Sequence, residues 1–453
     1  MSVSELKRVL TLPTVSFIVI GFMIGGGVFV FTGIVFNIVG RALPIAYALA
    51  VVPVFISMMP LAMLGAALPS TGANYRYPSR MVSPGLAFVG IWVYAWASFF
   101  GQVPLYALGC AKYVQTFLPG LSPTLFAIVL VTVFYLINLL GVKIAAQIQG
   151  VLVITLVSAL IYFSYSGIKT MDPANFGHIL QNGPAKLILG TALLTFTYFG
   201  ANGIIELGGE IINPGKVIPR AFFIAFPIVM LIYIAVAIAT VGAIPADRLK
   251  TAVEPLIEAC LRTTGRNGLI FFTIGGAILA LTTTLNALFI VGTKSLMMIV
   301  HDGLLPAKLG HLSQRFGTPY VCLTAIWILS VLGISSNTSL ETLAAYAALG
   351  GLIIFLPVQI AAVRLPKLYP IQYQNAAFKL RGFWLWFCPI VGMITVVFFS
   401  IIIFIDLKSM QKIGWFLAFM ASGIVYYQLR KKYLLTRGIR LVEIIKTEKT
   451  WNA

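Results

Sequence analysis

Two glycine-rich runs carry main-chain groups that could bind a small charged molecule. The first is Gly21-Phe22-Met23-Ile24-Gly25-Gly26-Gly27-Val28-Phe29, and the second is Phe196-Thr197-Tyr198-Phe199-Gly200-Ala201-Asn202-Gly203. Both lie in the middle of long apolar stretches. Glycine costs about 1 kcal/mol against alanine inside a helix, so three in succession invite the helix to open. Amide N–H groups at Gly25, Gly26 and Gly27 would start a new half-helix, whose positive end can hold a carboxylate without an arginine. Carbonyls freed at Met23, Ile24, Phe196 and Phe199 would accept from an ammonium group. Main chain alone could then hold both ends of a zwitterion. The competing explanation is close helix packing through small residues. A triple glycine matched by a second cluster favours the binding site.

Little else in the chain points to chemistry. Glu206 and Glu210 are the only acids near the interior of an apolar stretch, and at i and i+4 they share one helix face. Glu206 reads as a solvated helix end. His178, His301 and His311 form no ligand pattern. Cys110, Cys260, Cys322 and Cys388 have no C-x-x-C spacing, so neither a metal centre nor a disulfide framework is expected. There is no phosphate-binding loop that would couple the protein to ATP. A membrane-embedded enzyme would need paired acids, a Ser/His pair or metal ligands inside the apolar stretches, and these hold none.

The elements that must position the glycine runs follow from composition. The chain has 453 residues, of which 60% are hydrophobic and only 9% charged; the mean hydropathy is +0.99. Soluble domains are about a quarter charged. A soluble enzyme, a nucleic-acid-binding module and a disordered scaffold are therefore excluded, and an integral membrane protein remains. The 31 Lys and Arg against 12 Asp and Glu give a net charge of +19, which reads as topological anchoring in the bilayer rather than nucleic-acid binding.

Charge-free windows run over 9–40, 42–75, 81–111, 113–142, 144–168, 187–205, 221–246, 267–293, 316–340, 342–363, 382–405 and 413–429. A span needs about 20 apolar residues, so each window is long enough for one. None shows the period-2 alternation of a barrel, so twelve transmembrane helices are predicted. Interruptions in the first and sixth windows point to two inverted five-helix repeats, over 9–168 and 187–363, with two peripheral helices over 382–429. The first window is too long for a cleaved signal and stays as a helix. With the N-terminus inside and twelve alternating spans, 21 of the 31 Lys and Arg fall on the inner side, so both termini are expected in the cytoplasm. Residues 430–453 form a basic cytoplasmic tail suited to anionic headgroups.

The motifs then resemble a known family. Gly21 to Phe29 is similar to the G-x-x-I-G-x-G-[IV]-F signature of the amino acid–polyamine–organocation (APC) transporters. Phe199-Gly200, followed by Glu210-Ile211-Ile212-Asn213-Pro214-Gly215-Lys216-Val217-Ile218-Pro219-Arg220-Ala221, resembles that family's sixth helix and its E-x-x-N-P-x-x-x-[IV]-P-R-A loop. His301-Asp302-Gly303-Leu304-Leu305-Pro306, and then Thr318-Pro319, resemble the exit from the eighth helix and the entry to the ninth. The resemblance implies an all-α membrane protein of the leucine-transporter fold. It implies a secondary active amino acid transporter, permease or exchanger, working by alternating access in the cell membrane as a monomer or homodimer.

Further positions come with the resemblance. The pair Gly101-Gln102 implies that Gln102 and Ser98 face the substrate, with Tyr94 and Phe199 as aromatic gates. Glu210 matches a family position and is expected to form a cytoplasmic gate with Arg220, Arg76 or Arg80. Many relatives carry an acid where this chain has Asn202, so a neutral substrate is expected over arginine, lysine or a polyamine. A lysine found in helix five of proton-coupled relatives is missing here, with Leu156 in its place. No tightly held cofactor is implied. A coupling sodium ion between Thr282, Thr283 and the carbonyls of Gly21 and Ile24 is expected, with proton entry through Glu210 or plain exchange as alternatives. The other classes considered are a cationic or polyamine antiporter and a passive channel. Saturable uptake with trans-stimulation separates a carrier from a channel.

Overall fold

The computed structural model describes residues 7–115, 117–244, 255–407, 409–441 and 445. Its elements are helices, and among the described residues the only β pairing is two isolated bridges, Leu10 with Ile211 and Thr71 with Leu207. In chain order the helices are α1 (Leu12–Met23), α2 (Gly26–Val39), α3 (Leu43–Ala67), α4 (Ala73–Met81), α5 (Pro84–Trp96), α6 (Val103–Gln115), α7 (Pro123–Leu139), α8 (Val142–Lys169) and α9 (Pro184–Thr195). They continue as α10 (Pro214–Ala243), α11 (Pro255–Phe271), α12 (Leu279–His301), α13 (Tyr320–Ser335), α14 (Leu340–Leu368), α15 (Pro370–Asn375), α16 (Phe383–Asp406) and α17 (Met410–Thr436).

Among the described residues, nine helical stretches are long and apolar enough to cross a bilayer. Two are too long for one crossing: Phe31–Ala67 with 37 residues and Leu256–His301 with 46. Unbroken, they would measure roughly 55 and 70 Å against a hydrocarbon core of about 30 Å. Each is divided at a glycine in the left-handed region, Gly40 at φ 60° and Gly265 at φ 68°. The apolar helices α7 and α13 are shorter, at 17 and 16 residues.

The break predicted in the first run is present. Helix α1 ends at Met23, Ile24 and Gly25 leave helical geometry, and α2 starts at Gly26. The second run behaves differently. It does not open but tightens into a 3₁₀ helix over Phe196–Glu206, a narrower winding that brings backbone close to α1. Two further segments are wound as π-helix, Ala97–Gln102 between α5 and α6 and Phe272–Ile278 between α11 and α12. Helix α1 is enclosed by α8, α10 and α12. Large apolar side chains on α16, such as Phe383, Trp384 and Ile394, stay exposed, which suits lipid as the surrounding solvent.

Several charges are enclosed by protein: Arg76, Arg80 and Lys294 are buried, as are Glu206 and Glu210. All nine residues of α4 are buried despite their polarity. Charge can be buried there because partners from distant segments meet it, as described below. Arg248, Lys250, Lys408 and most of the tail beyond Leu441 lie outside the described residues.

Candidate functional site

The two glycine runs touch each other. Gly200 sits on the Phe22–Met23 peptide, and a Cβ placed there would collide with the Phe22 carbonyl oxygen and lie 2.6 Å from its carbonyl carbon. Gly203 faces the Phe22 ring in the same way, at 2.6 Å. Glycine is therefore required at 200 by close approach, not by backbone angle. From α10, the Tyr233 hydroxyl donates to the Met23 carbonyl at 2.8 Å, with the Thr197 carbonyl next at 3.4 Å. It thus bridges both runs.

These bonds change the expected main-chain inventory. The Gly25 N–H is not free: it donates to the Met23 carbonyl at 2.9 Å. With Tyr233 as second donor, both lone pairs of that carbonyl are engaged, so an ammonium group would have to share it. Gly26 and Gly27 open α2, where the first N–H groups have no partner inside the helix.

A cavity lies at the junction. Of the residues singled out in the sequence, Met23, Gly25, Gly27, Tyr94, Gln102, Phe196, Phe199 and Asn202 line it. Ile24, Gly26 and Ser98 do not. Ile24 is fully buried, a side chain at Gly26 would meet Leu281 and Tyr106, and Ser98 is buried in the π segment. The π winding places Gln102 so that its Nε2 donates to the Tyr106 hydroxyl at 3.3 Å. Phe199 packs edge-on against Phe355, ring centroids 5.1 Å apart. No Asp, Glu, Lys, Arg or His is among the lining residues.

Sequence reasoning missed Tyr106, Thr197 and the wall that α14 supplies through Ala347, Ala348 and Gly351. Tyr106 follows Gln102 by four residues, a helical spacing that could have revealed it. The α14 wall has no signal beyond small residues.

The hydroxyls of α12 also sort differently. Thr282 donates to Leu279 at 3.1 Å and Thr283 to Ala280 at 2.9 Å, both inside their own helix. Thr284 also donates within the helix, to Ala280 at 3.1 Å, but of the three it is the one that approaches the first run, 3.5 Å from the Gly21 carbonyl. Each helix residue is turned by about 100° from the last, so the next residue along presents a different face.

Below the cavity, towards residues 7–11, polar groups are packed together. Glu210 pairs with Lys294 of α12 at 2.9 Å, not with the expected Arg220, Arg76 or Arg80. Glu206 is no solvated helix end: it accepts from the Asn74 amide at 2.7 Å and the Ser295 hydroxyl at 2.8 Å. Arg80 grips Asp302 through two bonds of 2.5 and 2.7 Å, and the Tyr75 hydroxyl adds a third at 2.6 Å. Burial pushes the Asp302 carboxyl up, but the bonds from His301 and Arg80 outweigh it and hold it below its usual range. A depressed carboxylate pKa stabilises at neutral pH and loses that contribution only as pH falls through the folded-state value. Val9 and Leu10 both donate to the Glu210 carbonyl at 2.9 Å, stitching the start of the described chain to the segment after the 3₁₀ helix.

Tyr233→Phe removes the bridge between the two runs. The expected cost is about 0.5–1.5 kcal/mol for a single hydrogen bond, read as a lower Tm in detergent. An unchanged Tm would mean that the hydroxyl does not tie the runs together.

Residues 10–427 match the family model described as amino acid permease. A branched-chain amino acid permease of Bacillus subtilis is 24% identical over 450 residues, covering 94% of this chain and 93% of the relative. A methylthioribose transporter of the same organism is 25% identical over 455 residues, covering 95% of each. A vacuolar cationic amino acid transporter of Arabidopsis thaliana is 26% identical over 370 residues, covering 73% of this chain and 60% of the relative.

Proposed function

Because the chain belongs to the amino acid permease family and is a multi-pass transporter rather than an enzyme, we propose that it carries neutral amino acids by alternating access at the junction of the two glycine runs. The observation that carries this is the cavity lining, which combines helix-terminal N–H groups with aromatic and amide side chains and includes no charge. The substrate carboxylate lies at the N-terminus of α2, against Gly27, where the helix dipole favours an anion. The side chain lies against Phe199, Gln102, Asn202 and the α14 wall. A cationic side chain finds no carboxylate there, and burying it unpaired would be costly. That disfavours the cationic or polyamine alternative despite the Arabidopsis relative's name.

The proposal takes all twelve windows as spans of a leucine-transporter-type fold in the cell membrane, with both termini cytoplasmic and α16 and α17 peripheral. The Glu210–Lys294 and Arg80–Asp302 pairs then close the cytoplasmic side in this conformation, and Tyr94 and Phe199 gate the cavity.

A thermal-shift screen of the purified protein against the common amino acids tests it. A ligand at 100 times its Kd adds about 2.7 kcal/mol to the folded state, so neutral amino acids should raise Tm and lysine and arginine should not. Asn202→Asp should shift the preference towards lysine by roughly tenfold or more, since an opposite charge in a dry site is worth a few kcal/mol. If arginine or lysine is already the best ligand of the unaltered protein, the neutral-substrate proposal is wrong.

A further inference from the structure

A chain of buried carboxamides ends against the break in the first helix. Asn138 of α7, Asn286 of α12 and Gln149 of α8 are buried and bonded in series. The Asn138 Nδ2 donates to the Phe134 carbonyl at 2.9 Å and to the Asn286 Oδ1 at 3.0 Å. The Asn286 Nδ2 donates to the Ala145 carbonyl at 2.9 Å and to the Gln149 Oε1 at 2.9 Å. The two main-chain carbonyls fix the orientation of the whole series, because turning any amide over would set nitrogen against nitrogen or oxygen against oxygen. The Gln149 oxygen is therefore consumed, and its nitrogen must point away from the series.

That nitrogen lies directly against Gly21, where a Cβ would collide with it. It has no hydrogen-bond partner among the described residues. Gly21 in turn has an under-used acceptor. In an intact helix its carbonyl would accept from the N–H four residues on, at Gly25. Here the Gly25 N–H has turned to Met23, and among the described residues only the Thr284 hydroxyl approaches, at 3.5 Å. An oriented donor with no acceptor thus sits beside an acceptor that has lost its donor, across the contact between α1 and α8.

We infer that Gln149 is a positioning residue for transport, donating to the Gly21 carbonyl as α1 moves, so that the carrier needs no sodium ion at the helix break. A cation there would need oxygen ligands, and the amide series presents N–H instead. The bond is unmade in this conformation and made after a small displacement of α1, which favours movement of that half-helix. This rests on the transport proposal above and adds its coupling mode.

The test is counterflow of a neutral amino acid into proteoliposomes at fixed symmetrical pH, with sodium or choline as the cation. The unaltered protein is measured first: its failure to exchange any neutral amino acid would overturn the transport proposal itself, whatever Gln149 does. Given exchange, equal rates in sodium and choline are expected. Gln149→Met, which keeps the shape and removes the donor, should lower turnover about tenfold, the worth of one such bond, with KM unchanged. Asn286→Asp should do the same without touching position 149, because a carboxylate at 286 draws the Gln149 nitrogen and turns its oxygen to Gly21. In that variant sodium should restore part of the rate. A sodium requirement in the unaltered protein, or wild-type turnover in both variants, would overturn the inference. If Gln149→Met does not purify as a monodisperse protein, Asn286→Asp alone decides by the same criteria.

Discussion

Gly200→Ala is expected to abolish amino acid uptake while the protein still inserts and purifies. The added methyl would enter the Phe22 carbonyl group and come within 3.0 Å of the Met23 nitrogen. Those atoms are backbone and cannot rotate away. Overpacking of this kind typically costs about 1–3 kcal/mol, tolerable for a large helical protein, but here the strain falls between the two runs that form the cavity. Relief comes by separating them, which moves Met23, Gly25 and Thr197 relative to one another. Gly414→Ala is the control. It adds the same methyl on α17, away from the cavity, where nothing lies within 4 Å of the new carbon, and should leave uptake near the wild-type rate. Normal uptake by Gly200→Ala would mean that the close approach is incidental.

Lys294→Met is expected to destabilise the protein by about 3–5 kcal/mol, the usual cost of leaving one member of a buried pair unpartnered. Lys294 and Glu210 have side-chain exposures of 5% and 4%, so water cannot replace the missing partner. The double variant Lys294→Met with Glu210→Leu should recover most of the loss, because apolar replacement of a whole buried pair is often neutral or better. Tm of the single and double variants in one detergent reads both effects. If the single variant melts with the wild type, the pair is effectively solvated and closes nothing.

The sequence revealed some features and hid others for physical reasons. Local composition is enough to find apolar windows, and each of the twelve windows contains helix among the described residues, although nine helical stretches there are long and apolar enough to cross a bilayer. The first break was also local, because three consecutive glycines weaken any helix that contains them. The second run was not decidable locally. Phe196 to Gly203 could have opened or tightened, and what decides is the Phe22–Met23 peptide pressing on Gly200 from more than 170 residues away.

Long-range partners were hidden altogether. Lys294 closes a charge-free window and so read as a loop cation, whereas its burial depends on Glu210 in another segment. Asp302 was visible as part of a motif but not as the partner of Arg80. Among the site residues, Gln102 and Asn202 were legible as polar groups in apolar surroundings. Tyr233 was one of 18 tyrosines, with nothing in its neighbourhood to mark it. The three successive threonines were visible, but which of them faces α1 depends on how α12 is rotated.

The central claim, a carrier for neutral amino acids at the junction of the two runs, is tested most directly by counterflow. Proteoliposomes preloaded with unlabelled leucine are diluted into a trace of radiolabelled leucine, with lysine, arginine or a neutral amino acid as competitor. Transient accumulation of label above equilibrium, competed by neutral amino acids, unaffected by lysine and absent in Gly200→Ala, is the expected result. Label that only equilibrates, or accumulation that lysine abolishes while neutral amino acids do not, would contradict it.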